Sequence, residues 1–93
     1  KSSVESPRVL IIEDEDAAAD LMRVQLETDG YRTFRAATAE EALEMMGHSK
    51  PDLITLDILL PGMDGWDFLA EIKKNTDYAG IPVVIVSIVA DEN

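Results

Sequence analysis

With 93 residues, 46% of them hydrophobic, no cysteine and a formal net charge of −11, the chain has room for one globular domain and no disulfide framework. Nineteen acidic residues against eight basic ones disfavour direct nucleic-acid binding, and no apolar run reaches the ~18–20 residues of a membrane helix. The polar start, Lys1 to Pro7, carries no secretory signal, so a cytoplasmic setting is expected, with neither nucleic acid nor membrane as a direct partner.

Residues 1–7 form a polar lead-in, and the domain proper is expected over 8–93. Arg8 to Glu13 is a short, nearly continuous apolar run, the pattern of a strand buried on both faces. Asp16 to Asp29 has helical periodicity, with Ala18, Leu21, Met22, Gln25 and Leu26 near one face and Gly30 as its stop. Tyr31 to Phe34 is a second, shorter strand of β-favouring residues. Thr38 and Glu41 make a capping box that opens a helix; its buried stripe is Ala39, Ala42, Leu43 and Met46, and Gly47 ends it.

Pro51 leads into a third strand that ends on Asp57. Turn chemistry follows in Pro61-Gly62-Met63-Asp64-Gly65, and Asp64 is placed to cap a third helix that turns Phe68, Leu69 and Ile72 inward. Asn75 to Gly80 is a polar loop, after which Pro82 enters a last strand running to Ser87. The order βαβαβαβ with short connections predicts a parallel α/β sheet with right-handed crossovers.

In such a sheet the carboxyl ends of the strands line one crevice, and three strands here end on oxygen-bearing side chains: Glu13-Asp14, Asp57 and Ser87. Glu15 and Asp16 suit the positive end of the first helix. Glu13 and Asp14 differ, because adjacent anions at the end of a buried strand are costly unless a cation or water stands opposite. Asp57, set among Leu56, Ile58, Leu59 and Leu60, is expensive in an apolar wall unless it is solvated or coordinated, although it is also placed to cap the following turn through Gly62. Hard oxygen donors in this number suit Mg²⁺ or Ca²⁺. The constellation suggests a phosphoryl acceptor: Asp57 attacks, acidic neighbours hold Mg²⁺, and the Ser87 hydroxyl steadies the product.

Three other readings stay open at this point. A metal-dependent phosphohydrolase wants an acid two residues after its nucleophile, where this chain has Leu59. A flavodoxin-like cofactor binder wants a Ser/Thr/Gly-rich phosphate loop after the first strand, and none follows. An assembly module that keeps the architecture without signalling is the fourth. His48, the sole histidine, sits at a helix end and excludes a metal site built on imidazoles, while Gly62 and Gly65 serve turns.

The stretches Val9-Leu-Ile-Ile-Glu13-Asp14, Pro51-Asp-Leu-Ile-Thr-Leu-Asp57-Ile-Leu-Leu-Pro61-Gly-Met-Asp64-Gly65 and Ile81-Pro-Val-Val-Ile-Val-Ser87 resemble the receiver domains of two-component response regulators. The resemblance implies a flavodoxin-like, CheY-like fold with helices on both faces of the sheet. It implies that Asp57 accepts a phosphoryl group from the phosphohistidine of a sensor histidine kinase or phosphotransfer protein. Glu13 and Asp14 match the family's acidic pair, with Asp14 the more direct Mg²⁺ ligand; Asp57 and the backbone carbonyl of Leu59 complete the set. Ser87 matches the family's phosphoryl-binding Thr/Ser. The domain would assist its own phosphorylation and dephosphorylation rather than act as an enzyme on other substrates.

Two departures accompany the resemblance. In the family a further α-β-α follows, with a lysine that pairs with the phosphoryl group and an aromatic switch residue, so the chain is expected to be truncated after its fourth strand. Val83 to Val86 would then be an apolar edge that invites a homo-oligomer. The second departure is Ile88, where the family usually has a small residue; its branched side chain would narrow access to the acceptor.

Overall fold

In the computed structural model, which describes residues 6–60 and 62–86, the elements alternate as β1 (Arg8–Ile12), α1 (Asp16–Thr28), β2 (Arg32–Ala36), α2 (Ala39–His48), β3 (Leu53–Asp57), α3 (Gly65–Lys74) and β4 (Val83–Val86). All strand pairings are parallel, in the order β2-β1-β3-β4. The sequence expectation of a parallel, flavodoxin-like α/β sheet is met. Ser87 and Ile88 lie outside the described residues. No helix among the described residues is long and apolar enough to cross a membrane.

The apolar run of β1 follows from burial on both faces, since Val9, Leu10, Ile11 and Ile12 are each at most 1% exposed. Leu10 and Ile12 meet Ile54, Leu56, Phe68 and Ile72 beneath α2 and α3. Val9 and Ile11 point the other way and pack on Ala19 of α1. The capping residues act as the sequence predicts: Thr38 accepts from the Glu41 N–H at 3.0 Å while the Glu41 carboxylate reaches back to the Ala37 N–H at 2.7 Å, and Asp64 accepts from the Asp67 N–H at 2.9 Å.

Four local expectations are corrected. The first strand ends at Ile12, although the Glu13 N–H still donates to Ala36 O at 3.0 Å and prolongs the ladder by one bond. β2 starts at Arg32 and runs on to Ala36, because Arg35 and Ala36 find partners in Ile11 and Ile12. α2 passes through Gly47 to His48, and the Ser49 N–H closes it on Met45 O at 2.9 Å; burial of Met46 outweighs the weak helix propensity of one exposed glycine. α1 ends at Thr28 and rests on Ala18 and Ala19, flanked by half-buried Met22 and Leu26, whereas Gln25 is exposed and Leu21 is 60% exposed. Two adjacent alanines let the helix approach the sheet closely, and that rotation carries Leu21 and Val24 to the outside.

Phe68, fully buried in the larger cluster, is expected to lose about 3–5 kcal/mol of stability on truncation to alanine. Leu21→Ala is expected to stay within about 0.5 kcal/mol of the parent. Urea unfolding of both variants checks the contrast.

Candidate functional site

The chain reverses its direction of travel across the sheet between β1 and β3: the first crossover places β2 on one side of β1, and the next places β3 on the other. A crevice opens at the carboxyl ends of two strands that diverge in this way. β1 and β3 pair in register up to Ile12 and Leu56, and each delivers an acid at the next position, Glu13 and Asp57, with Asp14 following. One carboxylate oxygen from each of Glu13, Asp14 and Asp57 lies within 4.8 Å of the others. They bound a cleft of about 510 Å³ that Glu15, Asp16 and Leu59 also line.

The three carboxylates sit in different surroundings. Glu13 is buried at 4% exposure, Asp57 is half-buried and Asp14 is open to solvent. Burial pushes the Glu13 carboxyl up from 4.5 to about 7; a hydrogen bond from the Glu15 N–H, at 3.2 Å, pulls it back, while the charge and contact of Asp57 and the charge of Asp14 push it further up. The Asp57 Oδ1 accepts from the Leu59 N–H at 3.1 Å. Asp57 therefore does cap its following turn, through Leu59 rather than Gly62, and the same bond fixes its carboxylate at the cleft. Leu59 itself is 71% exposed, so what it offers the cleft is backbone rather than packed side chain.

Two residues that shape the site escape the sequence reading. Arg35 donates from Nε to the Glu13 carbonyl at 3.0 Å and from Nη1 to Asp16 Oδ1 at 2.7 Å, clamping the turn that carries Glu13 and Asp14. A strand ended at Phe34 hides it; the signal is its register opposite Ile11. Gly65, read from sequence only as a turn residue, lies against the strand end: a Cβ there would stand 2.7 Å from Ile58 Cα and 2.9 Å from the Asp57 carbonyl oxygen. Its N–H donates to Ile58 O at 3.0 Å, so α3 begins in direct contact with the backbone that presents Asp57. Of the expected site residues, Glu13, Asp14, Asp57 and Leu59 are brought together. Ser87 is outside the described residues, next in sequence after Val86, the register partner of Asp57.

Crowded hard donors, one of them buried and holding its proton well above the usual carboxylate range, fit a divalent cation of the Mg²⁺ class. Residues 9–93 match the family of the response regulator receiver domain. The chain belongs to that family. It is 39% identical over 85 residues to the KDP operon transcriptional regulatory protein KdpE of Escherichia coli K12, covering 91% of this chain and 36% of that protein. It is 36% identical over 81 residues to the transcriptional regulatory protein AfsQ1 of Streptomyces coelicolor, covering 87% and 35%. The receiver thus spans little more than a third of the curated relatives it matches.

Among solved structures, the N-terminal domain of a response regulator receiver protein from Methanoculleus marisnigri JR1 superposes with a TM-score of 0.82 at 37% identity, over 85% of this chain and 64% of that one. The Mn²⁺-bound form of response regulator Rcp1 gives a TM-score of 0.82 at 30% identity, over 92% and 68%. Receiver domains bind Mg²⁺ and work with sensor histidine kinases or phosphotransfer proteins in general.

Glu13 keeps its proton to about pH 7 in the folded chain and loses it near 4.5 in the unfolded one. Between those values the unfolded chain binds fewer protons, so the Glu13 contribution to stability falls as pH rises and is lowest above 7. At pH 8 without divalent ions, Glu13→Gln is expected to melt above the parent. The gap should shrink at pH 5.5, and Mg²⁺ at pH 8 should raise the parent far more than the variant. Thermal melts at the two pH values, with and without Mg²⁺, check this. Gly65→Ala is expected to cost about 1–3 kcal/mol and to weaken the Mg²⁺ response, because the strain falls on the Asp57 backbone. Gly47→Ala, helical and with open space around its Cβ, should instead gain about 0.5–1 kcal/mol in the same melts.

Proposed function

We propose that this receiver accepts a phosphoryl group on Asp57 from the phosphohistidine of a sensor histidine kinase or phosphotransfer protein. The observation that carries the reading is the gathering of Glu13, Asp14 and Asp57 within 4.8 Å at the ends of two adjacent strands. In the transfer, an ionised Asp57 oxygen attacks phosphorus along the line of the breaking bond. The new O–P bond forms as the P–N bond to the donor imidazole breaks, and its electron pair stays on that nitrogen. The cleft is open enough for a donor side chain to enter, and the hydrogen bond from the Leu59 N–H holds one Asp57 oxygen so that the other can react.

Glu13, Asp14, Asp57 and the Leu59 carbonyl would hold the cation, and Mg²⁺ supplies neutralisation of the charge gathered on carboxylates and phosphoryl oxygens. The Mn²⁺-bound state of Rcp1 supports a divalent ion in this role. By its resemblance to the family, Ser87 would donate a hydrogen bond to a phosphoryl oxygen. Leucine stands at position 59, where a phosphohydrolase of this kind wants its acid, which favours an acceptor that stores the phosphoryl group over a hydrolase that turns it over. By the names of KdpE and AfsQ1, the output such a switch serves is control of transcription.

A second reading, self-association along β4, draws on the exposure of Val84 and Ile85 at the strand that has only β3 beside it among the described residues. One experiment addresses both. Incubation with a small phosphoryl donor and Mg²⁺, followed by intact-mass analysis, should show one added phosphoryl group in the parent and none in Asp57→Asn or in excess chelator. Size-exclusion chromatography of the same samples should give a monomer; a dimer together with no mass gain would favour the assembly reading and overturn the acceptor.

A further inference from the structure

At the opposite end of the sheet from the acidic cleft, the register places Arg8 of β1 directly against Arg32 of β2. Like charges in that relation repel each other across the strands. In a chain of net charge −11 a carboxylate partner for each would be easy to supply, yet the ion pairs among the described residues belong to Arg23 and Arg35. Both guanidinium groups are held by neutral oxygens instead. Arg8 Nη2 donates to Ser49 Oγ and, at 2.9 Å, to the Lys50 carbonyl, with its guanidinium 5.4 Å from the centre of the Phe34 ring. Arg32 donates from Nε and Nη2 to the Ser6 carbonyl, at 3.1 and 2.9 Å.

Asp52 accepts from the Arg8 backbone N–H through its Oδ2, at 2.8 Å. Among the described residues no carboxylate pairs with either guanidinium, and Arg8 Nε and Nη1 and Arg32 Nη1 have no acceptor. The two arginines, Phe34, Thr33 and Ser49 line an open cleft of about 440 Å³.

We propose that this basic cleft is an anion site for a phosphate dianion, free or as a small phosphomonoester, distinct from the acidic site at the other end of the strands. Two guanidinium groups lining one cleft match a phosphate dianion in charge, and a bound dianion turns the Arg8–Arg32 repulsion into a shared attraction. The half-buried Phe34 gives the cleft an apolar wall for the ester group. Arg8 and Arg32 are binding residues in this assignment, and neither touches the acceptor aspartate.

The test is thermal melting and ¹H–¹⁵N spectroscopy of the chain with inorganic phosphate or phenyl phosphate, in chelator and against chloride at matched ionic strength. Phosphate should raise the melting midpoint and move the Thr33 and Ser49 amides saturably, in the parent and in Asp57→Asn alike. Arg32→Gln should lose at least tenfold in affinity and yet melt above the parent in phosphate-free buffer, because the opposed charge is gone; Arg8→Gln should lose the response too. Tighter binding of phenyl phosphate than of phosphate would identify a phosphomonoester as the ligand, and the reverse order the free ion. No response beyond chloride, a response kept in Arg32→Gln, or a response lost in Asp57→Asn would each overturn the proposal. So would a lower midpoint for Arg32→Gln without phosphate, which would make Arg32 a structural clamp on Ser6 and nothing more.

Discussion

The adjacency of β1 and β3 at the middle of the sheet is the constraint on which the site depends. Both strands carry apolar side chains up to the last paired position, Ile12 against Leu56, and both switch to acid at the next step. Because parallel strands in register end at the same level, the switch places the carboxylates side by side with no side chain needing to reach. The cost is electrostatic. Glu13 is buried beside two other acids and responds by holding its proton to about pH 7. A site that resists losing a proton from one carboxylate is a site whose crowding a cation would relieve.

Around this centre the remaining elements act as braces. Arg35 reaches from β2 to the Glu13 carbonyl and to Asp16, so the turn after β1 is fixed from behind by a cation that does not enter the cleft. On the other side Gly65 lets α3 start against the Asp57–Ile58 backbone, and the buried Phe68 and Ile72 of that helix anchor it to the core. The Glu40 carboxylate of α2 accepts from the Met63 N–H at 3.3 Å, tying the loop beyond Asp57 to the neighbouring helix. The segments that carry Glu13 and Asp57 are thus braced from β2, α2 and α3.

Much of this was legible in the residues. Continuous apolar runs marked the strands because a sheet covered on both faces leaves no alternation, and the Thr38–Glu41 and Asp64 caps marked helix starts because their bonds are local. The acids at strand ends were visible because each directly follows a largely apolar strand, although both also accept a local bond from the N–H two residues on. What escaped depended on partners distant in sequence. Arg35 belongs to β2 only because Ile11 lies opposite, and the rotation of α1 is set by how closely Ala18 and Ala19 approach the sheet rather than by where its leucines fall. Gly47 looked like a stop, yet the burial of Met46 carries the helix past it. The tight fit of Gly65 could not be read from a turn pattern, since any glycine there gives the same pattern.

The charge of the chain is distributed as well as large. Glu13 to Asp16 and Asp57 crowd the carboxyl ends of the strands, whereas Arg8 and Arg32 stand at their amino ends with Lys50 close by. Strand dipoles are too small to demand this arrangement, so the polarity is a property of side-chain placement. It leaves a cluster of carboxylates at one end of the sheet and two opposed guanidinium groups at the other. Between them β1 is inaccessible along almost its whole length. Two strands link the ends: β1 runs from Arg8 to the turn at Glu13, and β2 carries Arg32 at its start and Arg35 near its end. Any coupling of the two ends is therefore to be sought in the register of β2 against β1.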